Sequence, residues 1–208
     1  MKSASPKSSS APAKHSPVTP DHGDGSDKRA RILDAALSLF LRYGVKRTSI
    51  DDVAREAGIA KGTVYLYYES KTMLFAAIAE RLCADMLAAA RRALQEKAAL
   101  TGRLVGFLDA YVGEMHRLVA QSPHVEELTL SKESVAAATY AEFNLQMKGL
   151  LRGVLNSAGV DHKGAGDMFL AAALGALRTG DIAEKPYRAR LTALVDTLLA
   201  GLRHIAAK

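Results

Sequence analysis

One run of seven residues carries the most readable chemistry in the chain: Lys61-Gly62-Thr63-Val64-Tyr65-Leu66-Tyr67. Lys61 brings an ammonium, Thr63, Tyr65 and Tyr67 bring hydroxyls, and Gly62 lets a partner come close to the backbone. A double-stranded nucleic acid asks for this mixture. It offers phosphate oxygens along its rims and base edges in a major groove about 12 Å wide, which a single helix can enter. Lys61 suits a phosphate or a guanine edge. Thr63 suits a phosphate or a thymine methyl, and Tyr65 and Tyr67 suit the groove rim. Leu66 is counted with these contact residues, a core position being the alternative for it and for Val64 and Tyr68. Thr48 or Ser49 opens the preceding helix, where the hydroxyl and the free backbone N–H groups can hold a phosphate. Lys71 opens the following helix. A cation is poorly placed there on dipole grounds, and a phosphate beside it explains the choice.

The remaining reactive side chains do not converge. None of the patterns GxGxxG, GxxxxGK, GxSxG or HExxH occurs, and the six histidines are scattered. His124, Glu126 and Glu127 are neighbours in sequence, and the two glutamates read as a solvated helix face rather than a metal site. Cys83 is the single cysteine, which excludes an intrachain disulfide; among Leu82, Met86 and Leu87 it reads as a buried apolar thiol. No catalytic residue, metal or cofactor is expected.

These residues need a helical frame, and the composition supplies one. The 208 residues are 49% hydrophobic, rich in Ala and Leu, and lack Trp, which favours helices over strands. The net charge is +6, from 28 Lys and Arg against 22 Asp and Glu. Residues 27–71 hold nine basic and six acidic residues, +3; residues 72–208 hold sixteen and fourteen, +2 over three times the length. Positive charge is densest around the seven-residue run, which permits nucleic-acid binding. No apolar run of about twenty residues is free of charge, and the early lysines are not followed by an apolar segment. No membrane association and a cytoplasmic location are expected.

Residues 1–26 are rich in Ser, Pro, Ala and Lys and read as a disordered basic arm, either a plain tail or an aid to phosphate attraction. A first helix starts near Asp27, with Ile32, Ala35, Ala36, Leu39 and Phe40 on one face, and stops at Gly44. Thr48 or Ser49 starts a second, which Gly58 breaks. A third runs from about Ala60 to Tyr67, and two short helices around a glycine turn make a helix-turn-helix. Further helices are expected over Lys71 to about Lys97, Thr101 to Gln121, His124 to Leu130, Glu133 to about Ala158, Lys163 or Gly164 to Thr179, and Pro186 to about Ile205.

The stretch from Gly44 to Phe75 resembles the DNA-binding domain of TetR-family repressors. The residues that carry the likeness are Gly44, Thr48, Ile50, Val53-Ala54, Ala57-Gly58, Lys61-Gly62-Thr63-Val64-Tyr65, Tyr67-Tyr68, Ser70-Lys71 and Leu74-Phe75. With the first helix, about 50 residues are covered. Tyr68 departs from a commoner phenylalanine. Ala60 stands where the family often has serine, which removes one phosphate contact. The resemblance implies a homodimer on a palindromic double-stranded DNA operator. It also implies an all-helical C-terminal domain with a small-molecule pocket, dimerising through its last two helices.

The chain is therefore expected to be all-α: a three-helix helix-turn-helix DNA-binding domain (27–71) followed by a helical effector-binding and dimerisation domain (72–208). Leu191, Val195, Leu198, Leu202 and Ile205 form a heptad-like seam on the last helix, and with Leu174 on the small-residue helix before it they are the expected dimer interface. Phe107, Tyr111, Met115 and His116 on one helix, Phe143 and Met147 on another, and Arg178 are the expected lining of an effector site for a hydrophobic molecule; a filled core is the alternative. The function expected is a ligand-responsive transcriptional regulator, a repressor by analogy. A ligand-independent DNA-binding protein and an all-helical enzyme are the alternatives.

Overall fold

The computed structural model describes residues 25–160, 162–178 and 184–206. Within them the helices run α1 (Gly25–Tyr43), α2 (Ile50–Ala57), α3 (Lys61–Tyr67), α4 (Lys71–Gln95), α5 (Leu100–Leu108), α6 (Glu114–Val119), α7 (Val125–Val135), α8 (Ala137–Ser157), α9 (Ala165–Arg178) and α10 (Glu184–Ala206). A π-helical turn, Asp109–Gly113, joins α5 to α6 without a break. Among the described residues there is no strand. The expected arm, residues 1–26, lies outside the described residues except for Gly25 and Ser26, which begin α1.

Local chemistry explains several helix ends. Ser49 caps α2 in a reciprocal box with Asp52: the serine Oγ accepts from the Asp52 N–H at 3.1 Å, and the carboxylate accepts from the Ser49 N–H at 3.0 Å. Gly58 closes the helix in the left-handed region (φ 63°, ψ 37°), a conformation that favours glycine. Ser70 caps α4 by accepting from the Met73 N–H. One boundary differs from the sequence expectation. Helix α7 runs on through Glu133 to Val135, and the chain bends at Ala136 before α8 begins. Neither glycine nor proline marks that bend.

Two apolar cores result. The first gathers Ile32, Ala36 and Phe40 of α1, Ile50, Val53 and Ala57 of α2, Val64 of α3, Leu74 and Ile78 of α4, and Leu128 of α7. The second is built by α4, α5, α8, α9 and α10 around Leu104, Phe107, Met147, Leu151, Phe169 and Leu191. Burying each such side chain contributes about 1.5–3 kcal/mol, so each core far outweighs any single surface contact. Helix α4 belongs to both: Leu74 and Ile78 sit in the first, Cys83, Met86 and Ala90 in the second. It is one rigid rod between the two halves.

The α10 seam requires correction. Leu191, Val195 and Leu202 are 0%, 1% and 4% exposed and pack into the chain's own second core. They have no surface left for a partner. Heptad spacing shows that a face is apolar and says nothing about which neighbour covers it. The outward faces of α9 and α10 instead carry Met168, Leu174 and Ile205, each about half exposed. Exposed small residues, Ala171, Ala193, Ala200 and Gly201, lie between them.

Asp109, at the π turn, is buried and is held by two guanidinium groups. It accepts from Arg117 Nη1 at 2.8 Å and from Arg188 Nη1 of α10 at 3.3 Å. Gly113 makes room for this bridge, because a Cβ there would overlap Asp109 Oδ1 and crowd Arg117 Nη1.

Candidate nucleic-acid interface

Helix α3 has seven residues, and its two faces separate cleanly. Val64 (0% exposed) and Tyr68 just beyond it point into the first core. Lys61, Gly62, Tyr65 and Leu66 face outward; Leu66 is 85% exposed, the most exposed large apolar side chain among the described residues. So Leu66 is not core. Thr63 and Tyr67 are half-buried at the edge. A Cβ built on Gly62 meets nothing within 4 Å. No neighbour among the described residues requires a glycine there, and glycine costs a helix about 0.5–1 kcal/mol relative to alanine.

The turn before α3 is held from α1. Arg31 Nη2 donates to the Ala57 carbonyl at 2.7 Å, and the Ile59 N–H donates to Ala54 O at 2.9 Å. Arg29 of α1 lies about 6 Å from the ring centroids of both Tyr67 and Tyr68. These contacts fix α3 against α1 and α2. Ala60, the N-cap of α3, makes no side-chain cap bond, so the first N–H groups of the helix keep no internal side-chain acceptor from that position.

Among the expected contact residues, Lys61 pairs with Asp51 at 2.8 Å, and that carboxylate, first by hydrogen bonding and then by charge, raises its ammonium pKa. Ser49 is exposed, with its Oγ donating to Asp52 Oδ2 at 2.6 Å. Bonding to Ser49 in turn holds the Asp52 carboxyl below its usual range, helped by Arg55.

Two expected phosphate clamps are turned inward. Thr48 is 3% exposed, and its Oγ1 donates to the Gly44 carbonyl at 2.8 Å. The hydroxyl is consumed by the bend and Ser49 caps the helix. Lys71 Nζ donates to the carbonyls of Val45 at 2.9 Å and Lys46 at 3.0 Å. Its cation does sit at a helix start, as the sequence indicated, but backbone carbonyls 25 and 26 residues earlier satisfy it. Sequence separation hid both partners.

The same α1–α2 loop is gripped from the second half of the chain. Glu127 Oε1 accepts from the Lys46 N–H at 2.6 Å, and Ser122 Oγ donates to Leu41 O at 2.7 Å. Gly44 adopts φ 82°, and a side chain there would collide with Glu127 and His124. Glu127 is therefore more than part of a solvated face. It ties α7 to the loop that leads into α2, and nothing local in the sequence signals this.

The expected effector lining separates into two groups. Tyr111, Met115, His116 and Phe143 line one cavity of about 350 Å³, together with Lys132, Tyr140 and Asn144. Tyr111 Oη donates to Asn144 Oδ1 at 3.1 Å, and its ring stacks on Phe143 at 5.9 Å. Phe107 and Met147, both 0% exposed, are interior packing and do not reach it. The side chain of Arg178 lies outside the described residues. Burial pushes the Tyr140 hydroxyl up to about 12 and the Cys83 thiol up to about 11, so Cys83 is a neutral, buried thiol.

Comparison with known proteins agrees with this geometry. Residues 32–78 match the family model described as bacterial regulatory proteins, tetR family. The HTH-type transcriptional regulator YvdT of Bacillus subtilis is 44% identical over 62 residues, 30% of this chain and 32% of that protein. The HTH-type transcriptional repressor KstR2 of Rhodococcus jostii is 26% identical over 188 residues, 88% of this chain and 90% of the repressor. The crystal structure of a TetR-family transcriptional regulator from Streptomyces coelicolor superposes with a TM-score of 0.64 at 20% identity, covering 85% of this chain and 96% of that one. The solved fold extends the likeness through the helical C-terminal half. Residues 32–78 thus carry the DNA-binding region of the tetR-family regulators, and along most of its length the all-α chain is similar to a transcriptional repressor and shares the fold of TetR-family structures.

Proposed function

We propose that the chain is a ligand-responsive repressor that binds a palindromic operator as a homodimer and is released by a small hydrophobic molecule. The observation that carries the reading is the outward face of α3. It holds Gly62 with open space before it, Leu66 almost fully exposed, and Lys61 and Tyr65 beside them. That face is costly in an isolated chain and useful against a groove. Lys61, Gly62, Thr63, Tyr65, Leu66 and Tyr67 are the groove-facing set, with Ser49 at the flank. Thr48 and Lys71 act on DNA indirectly, by shaping the loop before α2. Repression follows the likeness to KstR2, which is a repressor by name.

One seven-residue helix reads few base pairs. Two copies joined rigidly read two half-sites about one helical turn apart, or a multiple of it. The outward faces of α9 and α10, with Met168, Leu174 and Ile205 among small residues, suit close helix packing between two copies. The cavity at Tyr111, Met115, His116 and Phe143 suits the effector. A cytoplasmic location follows from the DNA target, and no described helix is long and apolar enough to cross a membrane.

Selection of genomic fragments by the purified protein, followed by sequencing, tests the reading. A shared palindrome is the expected result. Recovery of fragments with no common sequence would overturn specific regulation and leave a non-specific DNA binder.

A further inference from the structure

A second cavity, of about 150 Å³, lies where the two halves of the chain meet. Of the seven side chains expected to line an effector site, it touches only Met115. Phe40 of α1, Phe75 and Ile78 of α4 and Leu128 of α7 make its walls apolar. Its lining contains one ionised side chain, Lys132 of α7, and no carboxylate. The Lys132 ammonium forms no ion pair among the described residues and rests 4.3 Å from the centre of the Tyr140 ring. The larger cavity shares Met115, Val119, Lys132 and Tyr140 with it and likewise has no acidic lining. Lys132 thus lines both chambers, is exposed to solvent, and has no ion-pair partner among the described residues.

We infer that the junction chamber binds a single-chain amphiphile, its apolar chain between α1, α4 and α7 and its one anionic head on Lys132. Through Lys132 the chamber adjoins and extends the effector cavity assigned above, and the inference rests on that effector-responsive reading. Apart from Lys132, the lining offers only the hydroxyls of Tyr140 and of Thr129, the latter already donating to the Val125 carbonyl; such walls favour a hydrocarbon chain, because most buried polar groups there would go unpaired. An exposed cation resting on an aromatic face is free to donate to an anion, since the ring–cation contact at an exposed site is weak. The position also gives the ligand a lever on DNA. Leu128 is both a wall of the chamber and a member of the first core. Its neighbour Glu127 holds the Lys46 N–H in the loop before α2. A chain wedged against α7 pulls on that bond.

Titration calorimetry on the full chain with octanoate, decanoate, dodecanoate and dodecan-1-ol tests this. Affinity should rise about four-fold per added methylene until the chamber fills. Dodecanoate should bind about ten-fold tighter than dodecan-1-ol, and Lys132→Met should abolish that preference while still binding the alcohol. Ala79→Leu, which fills the chamber, should weaken both probes. No binding of dodecanoate, an unchanged carboxylate preference in Lys132→Met, or unchanged binding in a folded Ala79→Leu would each overturn the inference. Operator selection run alongside separates the two readings. Its failure sinks the regulator reading and leaves the binding result intact; Lys132-independent binding sinks this inference and leaves the operator intact.

Discussion

Adding one methyl group at Gly62 should move stability and DNA affinity in opposite directions. The residue is the second of α3, has no positive φ, and its built Cβ meets nothing within 4 Å. Gly62→Ala therefore introduces no clash and no strain. Replacing a glycine by alanine at a compatible position stabilises by about 0.4–1 kcal/mol, mainly by restricting the unfolded chain. For a chain of this size, that raises Tm by about 1–4 °C. Against a groove the same methyl occupies the space through which the backbone comes close. The expected loss is about 1–3 kcal/mol, the scale of disturbing one base-pair contact, or roughly 5- to 150-fold in affinity. Thermal unfolding by circular dichroism and a mobility-shift titration on a selected operator give the two numbers. A variant that is more stable and binds as well as wild type would refute close approach at Gly62, and with it the orientation assigned to α3. A variant that is less stable would show that the open space in front of the residue is filled within the free protein.

Three further outcomes follow from other sites. Lys71→Met keeps the stem and removes the ammonium from the Val45 and Lys46 carbonyls. It should cost about 1 kcal/mol in denaturant unfolding and leave the salt slope of DNA binding unchanged, whereas a phosphate contact would lower that slope by about one. Gly113→Ala drives a methyl into the Asp109–Arg117 bridge and should destabilise by about 1–3 kcal/mol, read as a lower Tm. Tyr187→Phe removes a buried hydroxyl that has no hydrogen-bond partner among the described residues, and should be neutral or stabilising by up to about 1 kcal/mol. Burial pushes that phenol from 10.0 up to about 12, so the wild type loses stability as pH rises through that window while the unfolded phenol ionises first; the variant should lose less over the same range in pH-dependent unfolding.

The elements that could be read directly are those whose signals are local. Ser49 and Asp52, three residues apart, announce the start of α2, and Gly58 announces its end because the backbone there needs a left-handed residue. Val64 and Tyr68 as inward residues, and Lys61, Gly62 and Tyr65 as outward ones, follow from helical spacing alone. What could not be read depends on partners far along the chain. The Thr48 hydroxyl turns back to Gly44, Lys71 reaches the α1–α2 loop, and Glu127 reaches Lys46 across 81 residues. Periodicity also misassigned Leu191, Val195 and Leu202, because an apolar stripe looks the same facing its own core or a second copy. Phe107 and Met147 were misplaced for the same reason. The bend at Ala136 has no breaker residue to mark it.

The π-helical turn at Asp109–Gly113 sets a count as well as a shape. Such a turn amounts to one residue inserted into an α-helix. Excising a single residue from the wide turn would restore regular winding and leave the direction of α6 nearly unchanged, whereas excising Glu114 from the regular winding after it would rotate everything beyond, relative to α5, by about 100°. Met115 and Val119, which line both chambers, would swing off them, and Arg117 would leave Asp109. The chain can thus exchange one side chain in these walls for another and remain the same receptor, but a position lost from the regular winding just before them moves every wall residue beyond it. Variation by substitution is open to this site, and variation by length is confined to the wide turn.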